Sequence, residues 1–150
     1  NARRAGGDRT AHFKGSTLVR ARMGIMIVGI GTDLAEVARI RKSVEQFRER
    51  FLNRVYTDAE RTYSFSKADF AERLAARFAA KEAGMKAIGT GWRRGVTWRD
   101  FEVINDTSGK PSLRLSGAAR QIADGLGTSR ISLSLTHTRE TAFAVVILER

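Results

Sequence analysis

The segment ADFAERLAARFAAKEAGMKAI, residues 68–88, reads as one long helix rich in alanine and large apolar side chains, stopped by Gly89 and Gly91. At roughly 100° per residue, Phe70, Leu74, Phe78, Met85 and Ile88 fall within an arc of about 80°. A helix with such a face needs another layer to bury it. The same arc contains Lys81, and Glu82 lies about 40° beyond its far edge. Burying an unpaired charge costs several kcal/mol, so buried charges are paired or bound to a metal. Either these two residues pair within the fold, or they face a bound ion or a phosphate.

The other elements indicate what that layer is. IMIVGIG (25–31) reads as a buried strand, with Gly29 and Gly31 marking a bend or a close backbone approach. LAEVARIRKSVEQFRERFLNRVY (34–56) reads as an amphipathic helix with Val37, Ile40, Val44, Phe47 and Phe51 along its apolar stripe. A second stripe of that helix carries Arg39, Lys42, Gln46 and Arg50. TDAE (57–60) has the form of a capping box and should start a short helix. FEVIN and SLRL read as strands about the turn DTSGKP, and SGAARQIADGLG as a small helix with a glycine stop. ISLSLTH alternates strictly, placing Ile131, Leu133, Leu135 and His137 on one face, and TRE turns it into the final strand TAFAVVILE. The fold class expected is α+β, a mainly antiparallel sheet packed against a long helix.

A chain of 150 residues, 42% of them apolar, suits one domain, expected over residues 25–150. It has no cysteine, which excludes a disulfide framework and a zinc–thiolate site and fits a cytoplasmic protein. The apolar runs are strand-sized, far short of the roughly 20 residues needed to cross a bilayer, so no membrane partner is expected. The net charge of +11 is unevenly spread: residues 1–25 hold six Arg or Lys and one Asp, leaving +6 on the rest. A moderately basic body favours a polyanion, an acidic protein or a phosphorylated ligand. Residues 1–24 lack periodicity and a signal-peptide core, and read as a disordered extension ahead of a functional start beside Met23 and Met26. A basic tail that contacts a partner is the alternative.

Asp33 and Glu36 have the spacing of a helix N-cap and its partner. Asp33 and Glu82, from two separate elements, could equally supply two oxygen ligands to Mg²⁺, with water and substrate phosphates completing the octahedron. Lys81, Lys86 and the Gly-Thr-Gly turn would suit phosphate oxygens. His137 could contact a phosphate or a mobile proton, or simply be a hydrogen-bonded strand-end histidine. Lys110, between Gly109 and Pro111, is ordinarily a turn lysine.

In order, IVGIGTDLAEVARI, RFLNRVYTDAE, RFAAKEAGMKAIGTG, NDTSGKPSLRLSGAA and SLTHTRETAFAVVILE resemble the holo-acyl-carrier-protein synthases, the small bacterial class of 4′-phosphopantetheinyl transferases. The resemblance covers residues 26–149. It implies transfer of the phosphopantetheine arm of coenzyme A to a serine of apo-acyl carrier protein in fatty acid biosynthesis, releasing adenosine 3′,5′-bisphosphate. It makes Asp33 and Glu82 the protein ligands of Mg²⁺, and Lys86 a catalytic contact of the coenzyme A diphosphate. It sets Lys81 at phosphate or an interface carboxylate, and Gly109, Lys110 and His137 near the 3′-phosphoadenosine pocket. A metal-bound water or one of the carboxylates would take the serine proton. Arg39, with Arg50 as a second contact, would grip the acidic helix of the carrier protein, and the enzyme would be a homotrimer with its active sites at subunit interfaces. Gly84 and Met85 depart from the family's habit of a bulkier residue followed by a small polar one, and a helical glycine costs about 1 kcal/mol relative to alanine.

Rival readings fit less well. A nucleic-acid binder would show a basic stripe interleaved with stacking aromatics, which the body lacks, so no nucleic-acid partner is expected. A broad-range transferase serving polyketide or peptide synthetases would be about twice this length. A dead scaffold would have lost a metal ligand, and both are present.

Overall fold

The computed structural model describes residues 24–150, so the expectation about the N-terminal extension lies outside the described residues, except at Gly24. The chain runs β1 (Ile27–Glu36), α1 (Val37–Val55), α2 (Asp58–Phe65), α3 (Phe70–Ala87), β2 (Phe101–Asn105), β3 (Pro111–Leu115), α4 (Gly117–Gly125), β4 (Arg130–His137) and β5 (Thr141–Glu149). Strands β1, β5 and β4 form one antiparallel sheet in that order, and β2 pairs with β3 in a separate hairpin. No helix among the described residues is long and apolar enough to cross a membrane.

Small residues set how closely α3 lies on the sheet. On β5, Ala142, Ala144, Val146 and Leu148 are buried, opposite the buried Ala79, Ala80, Ala83 and Ala87 of α3. On β1, a Cβ at Gly29 would stand 2.2 Å from the Ala87 carbonyl oxygen, and one at Gly31 would stand 1.9 Å from that of Ala83. Only glycine permits that approach. Gly84 serves the other side of the helix, where a Cβ would come within 2.7 Å of the Phe101 ring. The glycine that departs from the family habit is therefore a packing solution, and Met85 is a buried core residue.

Three expectations need correction. Strand β1 continues through Glu36, so Asp33 stands within a strand, paired across to Ala144, and is no helix cap. Glu36 occupies the N-cap of α1 without a side-chain capping bond. Helix α1 also breaks at Arg48, whose φ of 45° lies in the left-handed region. Beyond the break Leu52 and Val55 supply the buried face, and Phe47, expected in the core stripe, is 48% exposed.

The third correction concerns Lys81. Its side chain and that of Glu60 are both 0% exposed, with Nζ 2.8 Å from Glu60 Oε2. Nζ also donates to the carbonyls of Trp98 (3.1 Å) and Phe101. All three ammonium protons are spent inside one chain, so Lys81 cannot meet a phosphate or an interface carboxylate. Burial pushes its pKa down and Glu60 pulls it back. Glu60 closes the expected capping box with Thr57 and accepts from Val103 N at 2.8 Å, tying α2, α3 and β2 into one buried knot.

Candidate active site

The flush packing of α3 on β1 brings four of the expected side chains to one place, Asp33, Arg39, Glu82 and Lys86. Asp33, Glu36, Arg39, Ile40, Phe78 and Glu82 line a shallow cleft of about 240 Å³ at the junction of β1, α1 and α3. Lys86, one turn beyond Glu82, reaches across to donate to Asp33 Oδ1 and to the Thr32 carbonyl, both at 2.9 Å. Glu82 has no ion pair among the described residues. Its carboxyl is held above the usual carboxylate range, first by burial and then by the charge of Asp33. The Trp92 indole, Lys86 and Arg39 act in the opposite sense.

This donor set fits a hard divalent cation. Two carboxylates from separate elements repel each other, and Glu82 has no ion pair among the described residues, so a cation between them would relieve that repulsion. Two carboxylate oxygens, with phosphate and water supplying the rest, are the usual protein share of a Mg²⁺ site.

The remaining expected residues lie elsewhere in the chain. Gly109 and Lys110 sit on the β2–β3 turn, where Asp106 Oδ1 accepts from Ser108 N (2.8 Å) and Lys110 N (3.0 Å). Asn105 connects that turn to α3: its amide donates to the Gly109 carbonyl (3.0 Å), and its oxygen accepts from Arg77 Nη2 (2.7 Å). Arg77 is buried with its guanidinium 4.3 Å above the Tyr63 ring, and its Nε finds no partner among the described residues. His137 ends β4 against Glu72, in the first turn of α3. Glu72 and Glu82 are separated by about 15 Å of helix rise. Arg50 lies past the break in α1, in a surface groove with Phe47, Phe51 and Arg54.

Sequence reasoning missed four contributors: Glu60, Arg77, Trp92 and Asn105. Glu60 was legible only as a cap. Arg77 stands inside the segment RFAAKEA, but helical spacing does not reveal that it reaches Asn105. Trp92, with its ring 4.5 Å from that of Trp98 and under the Arg54 guanidinium, carried no pattern signal.

Comparison with known proteins bears on this geometry. Residues 29–145 match the family model described as the 4′-phosphopantetheinyl transferase superfamily. A holo-[acyl-carrier-protein] synthase of Solibacter usitatus is 58% identical over 124 residues, covering 83% of this chain and 99% of the relative. The crystal structure of the holo-[acyl-carrier-protein] synthase from Neisseria meningitidis superposes with a TM-score of 0.76 at 37% identity, covering 83% of this chain and 100% of that one. That of the Bacillus anthracis synthase, in complex with CoA (3′,5′-ADP), does so with a TM-score of 0.68 at 40% identity, over 83% and 97% of the two chains.

Proposed function

We propose that this chain, which belongs to the 4′-phosphopantetheinyl transferase superfamily as a holo-[acyl-carrier-protein] synthase, carries out its transfer through a Mg²⁺ held by Asp33 and Glu82. The observation that carries the reading is the cleft in which those carboxylates meet with Lys86 beside them. The substrates are coenzyme A and the serine of an apo-acyl carrier protein. The serine hydroxyl gives its proton to one of the cleft carboxylates or to water as its oxygen bonds to the phosphorus bearing the pantetheine arm, the bond from that phosphorus to the bridging oxygen breaks, and adenosine 3′,5′-bisphosphate departs. Mg²⁺, when bound, supplies neutralisation of the charge that gathers on the departing phosphate.

The chain's own groups do the rest. Lys86 is half-exposed on a flexible stem, and its ammonium can swing from Asp33 Oδ1 to an entering diphosphate. Gly109, Lys110 and His137 serve the nucleotide half of coenzyme A. Arg39 stands at the cleft mouth and Arg50 beyond it, both exposed, to orient an acidic carrier protein, chiefly by steering encounter.

The working assembly is a homotrimer with shared sites. Two observations support it: Gly109, Lys110 and His137 lie apart from Asp33 and Glu82 within one chain, and the sheet face turned away from α3 is apolar and uncovered. There Ile30 and Leu34 are 62% and 61% exposed, with Phe143 beside Leu34. Exposed patches of this kind mark association sites. The enzyme would act in the cytoplasm, in fatty acid biosynthesis.

Intact-protein mass spectrometry of an apo-acyl carrier protein, incubated with this protein, coenzyme A and Mg²⁺ beside an EDTA control, tests the reading. A phosphopantetheine mass gain abolished by EDTA is expected. A gain that survives EDTA would overturn the metal site, and no gain with several carrier proteins would overturn the substrate assignment.

A further inference from the structure

The turn that follows α3 leaves a large indole half in water. Trp92 is 54% exposed, although its ring stands edge-on to the buried Trp98, 4.5 Å away at 90°. Trp98 in turn lies 4.6 Å from Phe78, which lines the cleft with Asp33 and Glu82. The Arg54 guanidinium stands over the Trp92 ring at 5.8 Å. Arg54 belongs to the groove of about 240 Å³ that it forms on α1 with Phe47, Arg50 and Phe51. The indole therefore stands between cleft and groove, and it is also a hydrogen-bonding group that favours the ionised form of Glu82. Backbone geometry holds it there. Gly91, immediately before it, takes a φ of 54°, and hydrogen bonds run from Gly91 N to the Met85 carbonyl and from Arg93 N to that of Thr90.

Burial would take a large apolar area out of water, so a half-exposed indole forgoes stabilisation. Tryptophan and arginine are also the residue types over-represented at the energetic centres of interfaces. Arg50 and Arg54 are exposed beside the exposed Phe47, and Arg93 and Arg94 follow Trp92 in the same turn, also exposed. None of these four arginines has an ion pair among the described residues. Glu49, on the same part of α1, is engaged by Arg61 at 2.6 Å. Such a surface suits an acidic helix that carries apolar side chains along one face. It is built from α1 and the turn after α3, not from the sheet face of Ile30, Leu34 and Phe143 assigned to subunit association. An acceptor serine has to reach Asp33 and Glu82, so the protein that bears it lies over the rim on which Trp92 stands.

We infer that Trp92 is a specificity residue for the carrier protein: it packs on apolar side chains beside the acceptor serine while the surrounding arginines take the acidic ones. The inference rests on the proposed transfer to an apo-acyl carrier protein. Trp92 takes no part in the bond changes.

Two measurements on the full chain test it separately. The chain has two tryptophans and Trp98 is buried, so acrylamide quenching of the intrinsic fluorescence reports chiefly Trp92. The probe is an apo-acyl carrier protein that lacks tryptophan and has its acceptor serine changed to alanine, which allows binding without turnover. Its addition should sharply lower the quenching constant of the parent. That of Trp92→Phe, which retains only Trp98, should not move. In the transfer assay with the unaltered carrier protein, Trp92→Ala should raise the KM for that protein about tenfold and leave the KM for coenzyme A unchanged. Trp92→Phe, which keeps a ring, should recover part of this. Unchanged quenching on adding the carrier protein, or an equal rise in both KM values, would overturn the inference. So would protection of Trp92 before any carrier protein is added, which would mean that a second copy of this chain covers it. An equal response to polyglutamate would mark a general polyanion surface and overturn it as well. If the parent modifies no carrier protein, the substrate assignment fails and the inference with it. Normal modification with an unmoved KM in Trp92→Ala sinks the inference alone.

Discussion

Gly31→Ala offers the sharpest test of how the fold builds the cleft. The added Cβ would lie 1.9 Å from the Ala83 carbonyl oxygen and 2.7 Å from Ala87 N. Both are backbone atoms of α3, so no side chain can rotate out of the way. Ordinary contact begins near 3.4 Å, and strand and helix must therefore part by roughly 1.5 Å. Overpacking of this kind costs about 1–3 kcal/mol. For a domain of this size that corresponds to a fall in Tm of about 5–15 °C. The same displacement stretches the 2.9 Å contact between Lys86 and Asp33 and shifts Glu82 from its partner carboxylate. A misplacement of about 1 Å in a catalytic constellation costs on the order of 100-fold in rate.

Thermal unfolding by circular dichroism and carrier-protein modification by intact mass are the two assays. Gly125→Ala is the control: no atom lies within 4 Å of its added Cβ, and its φ is not positive. It should be neutral, or stabilising by about 0.5–1 kcal/mol. A Gly31→Ala protein with a Tm within about 2 °C of the parent and turnover within about twofold would refute the argument that glycine sets the approach of α3 to β1.

The two lysines of α3 should part company: Lys81→Ala, which strands the buried Glu60 carboxylate, should cost about 3–5 kcal/mol in chemical denaturation. Lys86→Ala, on a half-exposed pair, should keep the fold and lose transfer; equal stability of the two variants would contradict this division. Because the Glu82 pKa is raised by burial and Asp33, its protonated form stabilises the metal-free fold below the ordinary carboxylate range, and that contribution is lost as pH rises through the raised value. Glu82→Gln should therefore abolish transfer yet unfold at an equal or higher temperature at neutral pH; a lower Tm would contradict the assigned repulsion. Arg39→Glu should raise the KM for carrier protein about tenfold or more at low salt and leave that for coenzyme A unchanged; equal loss of both would remove it from docking.

The features legible in the sequence were those governed by local rules. Strand alternation placed β4 and β5 with the correct buried faces, and the capping box at Thr57 starts α2 as expected. The Gly–Asp spacing of GIGTD marked both a close approach and a carboxylate, and β1 supplies both. What failed depended on contacts across the chain. The position of Lys81 among apolar residues was visible, but its partner comes from α2 and its carbonyls from the segment before β2 and the first residue of that strand. Periodicity likewise assumes an unbroken helix. The left-handed Arg48 breaks α1 directly after Phe47, which is exposed, and the buried face beyond it comes from Leu52 and Val55.

Helix α3 explains why these long-range contacts matter together. Its first turn carries the partner of His137, its middle ties Arg77 to the β2–β3 turn, and its last two turns carry Glu82 and Lys86. A helix fixes such groups at 1.5 Å per residue, so their spacing cannot drift as loops move. The alanines and glycines beneath it fix its height above Asp33, and the Lys81–Glu60 pair fixes its contact with β2. The buried charge in the apolar arc thus belongs to the scaffold, and the half-buried Glu82 lines the cleft proposed as the active site. Adjacent residues on one helix have separate duties because one faces a closed interior and the other an open cleft.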